Sequence, residues 1–554
     1  MTLGDLFYSS FAIIKMDMCN ELLCDIVTYI YIGFNSCTIL KNLLGELFMR
    51  SSGILMPVAS LPGKYGIGSF SKEAYEFVDF VADAGQKYWQ ILPLSPLNHI
   101  GGTDSPYKSY SAFAGNPFFI DLDKLIKDGL LTQEEVDAVD FGKKTDKIDY
   151  ENLFKFRMPL LRKAYARANV GDNWEFREFC ARNGWWLNDY ALFMALKDFF
   201  KGEEWRTWPE DIRRRYDYAM DYYNRELYFD IEFYKYLQFE FFREWYALKN
   251  YANSKNIQII GDVAIYVSLD SADVWANTRL FQLDENFNQI SVAGAPPDGF
   301  AADGQIWGTP LYRWDVHQSE SFGWWMARLW QNFCLCDMLR IDHFRGLDEY
   351  FSIPFGSPTA KNGHWEKGPG MAFFHQMWNN MGHKPVIVED LGMMTDSVRE
   401  LVRQSGFPNM KVLEFAFDPN DYGAANDYMP HNIYEHCVVY TGTHDNAPVN
   451  GWFADLSNDE KELVRSYFGT DTKDDSKISS VLVNHAMMSR ANLCVVPIQD
   501  YLGLGNEARV NDPSHEENNW FWRLDKKYLT KKMSKEIFEI TRRYGRLNWE
   551  NVNR

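Results

Sequence analysis

Eight short apolar runs, each closing on polar or charged residues, punctuate the chain. They are Gly53–Ala59, Tyr88–Leu94, Ile259–Val267, Met338–Phe344, Pro385–Leu391, Lys411–Phe417, Cys437–Thr441 and Leu493–Pro497. Most are rich in Val, Ile, Leu and aromatics and lack a clean polar alternation, the pattern of parallel strands covered on both faces. Helix-period segments lie between them, such as Ser71–Ala84 after the first run, Phe322–Phe333 before the fourth and Asp396–Ser405 after the fifth. Strand then helix, eight times over, predicts an α/β fold of the (β/α)8 TIM-barrel kind. An open doubly wound sheet is the structural alternative, but no Gly-x-Gly-x-x-Gly turn follows any run.

One interval breaks the rhythm. About 160 residues separate the second and third runs, far more than a strand–helix connection uses. Helical patterns around Glu151–Ala168, Asn173–Arg182, Leu187–Phe200 and Arg225–Tyr251 predict a large, mainly helical insertion subdomain spanning 99–255, on a catalytic barrel of 49–554. The cluster Arg213-Arg214-Arg215, flanked by Glu210 and Asp211, reads as a solvated helix face.

Residues 1–48 look foreign to this pattern. They hold three of the eight cysteines and no tryptophan, and Met49 follows them. The expectation is an N-terminal extension outside the working enzyme, with Met49 as the natural start. Its first basic residue is Lys15, so no basic region precedes its apolar stretch as in a secretory signal. Its longest uncharged run, Ile26–Leu40, falls short of the roughly 20 residues that span a bilayer. A cytoplasmic protein with no membrane partner is expected. The cysteines point the same way: only Cys334 and Cys336 form a tight pair, no second pair completes a zinc site, and they read as free thiols in a reducing compartment.

Composition narrows the partners. The net charge of −19 argues against nucleic acid, whose phosphates an acidic chain repels. Aromatics reach 16%, with 19 Trp, 31 Tyr and 40 Phe. Flat rings with a polar edge suit sugars as well as they suit a large core.

The chemistry concentrates at the run ends, where a barrel of this kind places its site. In Arg340-Ile341-Asp342, alternation puts Arg340 and Asp342 on one face, and a neighbouring guanidinium keeps a carboxylate ionised as a nucleophile requires. A purely structural Arg–Asp pair is the alternative. In Val388-Glu389-Asp390 only one of the two acids can point inward. Thr443-His444-Asp445-Asn446 closes the seventh run, and Asp262 lies inside the third. His444 beside Asp445 has no evident third ligand, so metal binding is not expected. Three carboxylates at strand ends with an arginine and a histidine match glycosidic-bond chemistry, where one carboxyl attacks and another moves the proton.

With these residues in place, the chain resembles the amylomaltase family, the 4-α-glucanotransferases or disproportionating enzymes of the α-amylase superfamily. The matching text runs from Ser51 almost to the C-terminus. It includes Asp104-Ser105-Pro106-Tyr107, Ser111-Ala112-Phe113-Ala114-Gly115-Asn116-Pro117, Gly261-Asp262, Gly294-Ala295-Pro296-Pro297-Asp298 and Gly304-Gln305-Ile306-Trp307-Gly308. Arg340-Ile341-Asp342-His343-Phe344-Arg345-Gly346, Glu389-Asp390-Leu391-Gly392, Thr443-His444-Asp445-Asn446 and Glu507-Ala508-Arg509 follow in order. The resemblance implies Asp342 as nucleophile, Glu389 as general acid/base and Asp445 as transition-state stabiliser. Arg340 and His444 would hold Asp342 and the sugar hydroxyls. Tyr107, Asp262, Asp298, Gln305 and Trp307 would contact substrate, although Trp307 also reads as a core residue. A stretch from Ala293 to Trp307 would arch over the cleft and keep water out. The implied donors are α-1,4-glucans, with glucose or another glucan as acceptor, and no metal or organic cofactor is implied. The chain departs from the family at Ser514, where members often carry Gly after Asn-x-Pro, and in the small residues of Gly299-Phe300-Ala301-Ala302-Asp303. A plain α-glucan hydrolase and a non-catalytic carbohydrate-binding protein remain the alternatives.

Overall fold

The computed structural model describes residues 50–98, 104–142, 145–297, 302–392, 394–417, 426–470, 474–515 and 517–552. The expectations for 1–48 and for Asp298 therefore lie outside the described residues. Twelve strands occur among those described: β1 Ser51–Leu55, β2 Tyr88–Gln90, β3 Gln258–Val263, β4 Ser291–Ala295, β5 Gln305–Pro310, β6 Met338–Ile341, β7 Glu349–Pro354, β8 His364–Lys367, β9 Val386–Val388, β10 Asn409–Val412, β11 Cys437–Tyr440 and β12 Leu493–Pro497. Eight of them close a parallel barrel in the order β1-β12-β11-β10-β9-β6-β3-β2, so the chain is a (β/α)8 barrel. Its interior is packed with Leu55, Tyr88, Ile260, Ile387, Met410, Val438, Tyr440 and Val495.

Helices cover the outside because their apolar residues recur on one face. In Lys72–Asp83 the buried Ala74, Phe77, Val78 and Val81 fall at helical spacing. Asp396–Ser405 begins where the Thr395 hydroxyl accepts from the Val398 N–H and ends at Gly406, whose φ of 66° is left-handed. Between β2 and β3 run the long helices Tyr150–Arg167, Trp174–Phe199 and Tyr228–Ser254. The last two pack through aromatic pairs such as Phe176–Phe239 at 5.7 Å and Trp186–Phe242 at 5.8 Å between ring centroids. From Tyr228–Ser254 the Gln238 amide brackets Gly115, accepting from its N–H at 2.7 Å and donating to its carbonyl at 2.9 Å. That bracket anchors the loop carrying Tyr107.

Three details depart from the sequence pattern. The helical stretches expected at Asn173–Arg182 and Leu187–Phe200 are one continuous helix. The arginine cluster is not solvated: each of its side chains is half-buried, and Arg215 lies 4.2 Å over the Trp275 ring and bonds Asp189 at 2.6 Å. The remaining strands form a separate antiparallel sheet, ordered β5-β4-β7-β8, that the pattern did not announce. The connection between β4 and β5 is tied to the turn between β7 and β8, since the Ala360 N–H donates to the Asp303 carbonyl at 2.9 Å and Lys361 pairs with the Asp303 carboxylate.

Candidate active site

Strand register brings the expected residues together. Ile260 points into the barrel, so Asp262 two residues on shares that direction at the mouth. Asp262 lies opposite Arg340, and Arg340 opposite the inward Ile387. Asp342 and Glu389 each follow two residues later, beyond the strand ends. Asp390 faces the other way and is buried, accepting from the Asn409 amide at 2.6 Å and the Met410 N–H at 3.2 Å.

Arg340 is the hub, with its side chain 3% exposed. Its Nη1 donates to both Asp262 oxygens at 2.7 Å and lies 3.0 Å from Asp342 Oδ1, while Nη2 lies 3.6 Å from Glu389 Oε2. The Tyr107 hydroxyl donates to Asp262 Oδ2 at 2.8 Å and sits 2.8 Å from His444 Nε2. With its own proton committed to Asp262, the hydroxyl accepts from an Nε2–H, which assigns the His444 tautomer. His444 Nε2 is also 3.4 Å from Asp445 Oδ1. The Asn511 amide donates to that same oxygen at 2.6 Å, and Arg509 donates to the Asp445 carbonyl at 3.2 Å.

Exposure separates the roles. Asp342, Glu389 and Asp445 keep side-chain exposures of 24%, 13% and 38%, whereas Asp262 has 0% and His444 2%. The three carboxylates can meet a ligand. Asp262, implied as a substrate contact, is enclosed and bonded by Arg340 and Tyr107. Trp307 and Gln305 both lie on β5 and are half-buried, with the indole N–H donating to Gln305 Oε1 at 3.0 Å. The Trp307 ring packs edge-to-face on His343 at 4.7 Å, directly beside Asp342.

Electrostatics follow from burial and from the shared cation. Burial raises Glu389 above the ordinary carboxylate range; Arg340 opposes the shift and the Asp342 charge adds to it. Asp342 is also raised by burial, against the pull of Arg340, which stands nearer to it than to Glu389. Burial thus favours the protonated form of both acids, and the nearer cation favours ionised Asp342 more than ionised Glu389. Burial lowers His444 and keeps its ring neutral, and burial with the Asp262 charge raises Tyr107, which stays a phenol donor.

Three contributing residues were not singled out in the sequence. His343 adopts φ 47° and its N–H donates to Glu389 Oε2 at 2.6 Å, so the residue after Asp342 orients Glu389. Asn511 and Arg509 fix Asp445 from a distant segment. Arg509 stands in a motif already quoted and Asn511 opens the Asn-x-Pro stretch before Ser514, but nothing in their spacing shows what they touch. Among the described residues, no group of three side chains is placed to hold a metal ion.

Comparison with known proteins gives the family. A sequence model of the family described as 4-alpha-glucanotransferase matches residues 56–530. The chain belongs to the 4-alpha-glucanotransferase family. It is 44% identical over 493 residues to a 4-alpha-glucanotransferase of Clostridium butyricum, covering 89% of this chain and all of that one. Identity to the Thermus thermophilus enzyme of the same description is 43% over 484 residues, covering 86% of this chain and 95% of the relative. The structure is similar to an amylomaltase from Streptococcus agalactiae solved in complex with acarbose, with a TM-score of 0.86 and 37% identity over 90% of this chain and all of that one.

Proposed function

We propose that this 4-alpha-glucanotransferase works by a retaining, two-step transfer in which Asp342, Glu389 and Asp445 take separate roles. The Asp342 carboxylate attacks the anomeric carbon of an α-1,4-glucan while Glu389 gives its proton to the departing glycosidic oxygen. The Asp342–sugar ester forms as the glycosidic bond breaks. The 4-hydroxyl of glucose or of another glucan then attacks the same carbon; Glu389 takes its proton and Asp342 is released. Asp445, fixed by Asn511 and Arg509, faces the cationic sugar of each transition state. Tyr107 and His444 orient the acids, and Gln305, Trp307 and Asp298 serve the sugar.

One observation carries this reading: Asp342 and Glu389, partly open to the cleft, share the Arg340 guanidinium at 3.0 and 3.6 Å. That supports reading an ionised nucleophile next to a protonated acid. A structural ion pair needs no second, raised carboxyl beside it.

We read residues 99–255 as an insertion riding on the barrel's C-terminal face. Its contribution of Tyr107, and the departure of the chain from the C-terminal end of β2, support that reading. A cytoplasmic location accords with the five described cysteines being free thiols, three of them buried. Among the described residues no helix is long and apolar enough to cross a membrane.

Incubation with maltotriose tests the function. Transfer yields glucose together with oligosaccharides longer than the substrate. Glucose and maltose alone, with no longer product, would show a hydrolase.

A further inference from the structure

Two buried acids lie beneath the loop that carries His444 and Asp445. Asp500 accepts from the Thr441 hydroxyl at 2.5 Å and from the Val449 N–H at 2.8 Å, pinning both ends of the loop. Glu414 enters from the 3-10 turn Leu413–Ala416 after β10, its N–H donating to the Thr441 carbonyl at 3.2 Å. Its carboxyl lies against Gly442 of the loop. A Cβ added at Gly442 would stand 2.9 Å from Glu414 Oε1 and 3.2 Å from Asn446 Cβ, so both side chains occupy the space this glycine leaves.

From there a chain of contacts leads to Asp445. Asn446 Oδ1 accepts from the Thr443 N–H at 2.9 Å and from the Thr443 hydroxyl at 2.8 Å. The Thr443 oxygen in turn accepts from the Asp445 N–H at 3.2 Å. Asn446 and Glu414 thus meet over the same glycine. We propose that Glu414 is a positioning residue for Asp445, acting through Asn446 and Thr443 from behind the loop without touching the sugar. The proposal rests on the reading of Asp445 as the transition-state stabiliser.

Glu414 acts as a neutral acid. It is 6% exposed, and Oε1 has no hydrogen-bond partner among the described residues. An ionised carboxylate is costly in such a place. The charged groups facing it are Asp500 and Arg509; burial first and Asp500 second hold it well above the usual range, against Arg509. Because charge is not what it supplies, a glutamine of the same length should replace it.

A displaced Asp445 loses transition-state contacts before ground-state ones, so the effect belongs in kcat rather than KM. Glu414→Ala is expected to lower kcat for maltotriose disproportionation about tenfold or more, with KM within about twofold. Glu414→Gln should retain most of kcat, a rescue that distinguishes positioning by shape from a need for charge. Should Glu414→Ala not fold, Gly442→Ala, which displaces the carboxyl while keeping it, should show the same fall in kcat at unchanged KM. Overturning results are an Ala variant within about twofold of wild-type kcat, a Gln variant as impaired as the Ala variant, or an unimpaired Gly442→Ala. Asp445→Asn run in parallel separates the two failures. If it is inactive while Glu414→Ala is normal, only the positioning role falls; if it is fully active, the reading of Asp445 falls and this proposal with it.

Discussion

Arg340 meets Asp262, Asp342 and Glu389 with a single positive charge. Three ionised carboxyls around one guanidinium in a buried site repel one another, which favours protonation of the one the cation stabilises least. The distances choose Glu389, the farthest of the three. Two predictions follow at this scale. Asp342→Asn keeps the side chain's volume and removes its nucleophilicity. Maltotriose turnover should fall more than about a thousandfold with the fold intact, as judged by near-ultraviolet circular dichroism. Residual turnover of about a tenth or more of wild type would refute the assignment. Glu389→Gln should be nearly inactive on maltodextrins yet keep activity on an α-maltosyl fluoride, whose leaving group needs no proton. Because burial raises Glu389, its protonated form persists above the ordinary carboxylate range. The alkaline limb of kcat/KM on maltotriose is where that proton is lost, and it should be displaced upward accordingly. In Glu389→Gln acting on the fluoride that limb should vanish. A limb that survives there belongs to another group.

At the scale of elements, β5 offers Trp307 from the small antiparallel sheet to the ring of His343, whose N–H holds Glu389. The β4–β5 connection is in turn tied to the turn before β8 through Asp303. Trp307→Ala should weaken oligosaccharide binding and raise the hydrolysed fraction of the glycosyl-enzyme, because the indole no longer helps exclude water. The check is the ratio of free reducing ends to longer products from maltotriose; an unchanged ratio shows a packing residue only. This same sheet is what the sequence conceals. All eight barrel strands lie within the apolar runs or within two residues of them, since a strand covered on both faces announces itself. Ser291–Ala295 is mostly small residues, and Glu349–Pro354 alternates too briefly to stand out. Run ends mislead for a different reason. β10 begins at the polar Asn409, which is buried because it pairs with Asp390, and apolar Leu413, Phe415 and Phe417 continue after the strand has become a 3-10 turn. Gly184 lies between the two helical stretches the pattern predicts, and the helix runs straight through it. In the site, adjacency in sequence exposed Arg340, Asp342 and Glu389. Asn511 and Arg509 reach Asp445 from a distant segment, and only folding reveals that.

For the whole molecule, the question is which parts of the chain the barrel needs. Its first strand starts at Ser51 and its last ends at Pro497, and residues 51–554 form one compact unit. The C-terminal segment locks the seam between those two strands. Arg546 is completely buried and donates to the carbonyls of Met487, Ser489, Ala491 and Ser51 at 2.8, 3.1, 2.8 and 3.0 Å. Arg546→Ala orphans those carbonyls and opens a cavity at the closure, so it should cost about 3 kcal/mol or more in denaturant unfolding while leaving KM unchanged in the folded fraction. All eight strands that close the barrel lie among the described residues from Ser51 onward. A chain beginning at Met49 should therefore transfer glucan from maltotriose at the full rate and melt at the same temperature. Removing a solvated tail costs almost nothing, whereas removing a packed one exposes apolar surface such as Ile26, Ile30 and Leu40 would cover. A loss of about 2 kcal/mol or more on this truncation would show that the first 48 residues pack against the enzyme, and would make them part of its working form.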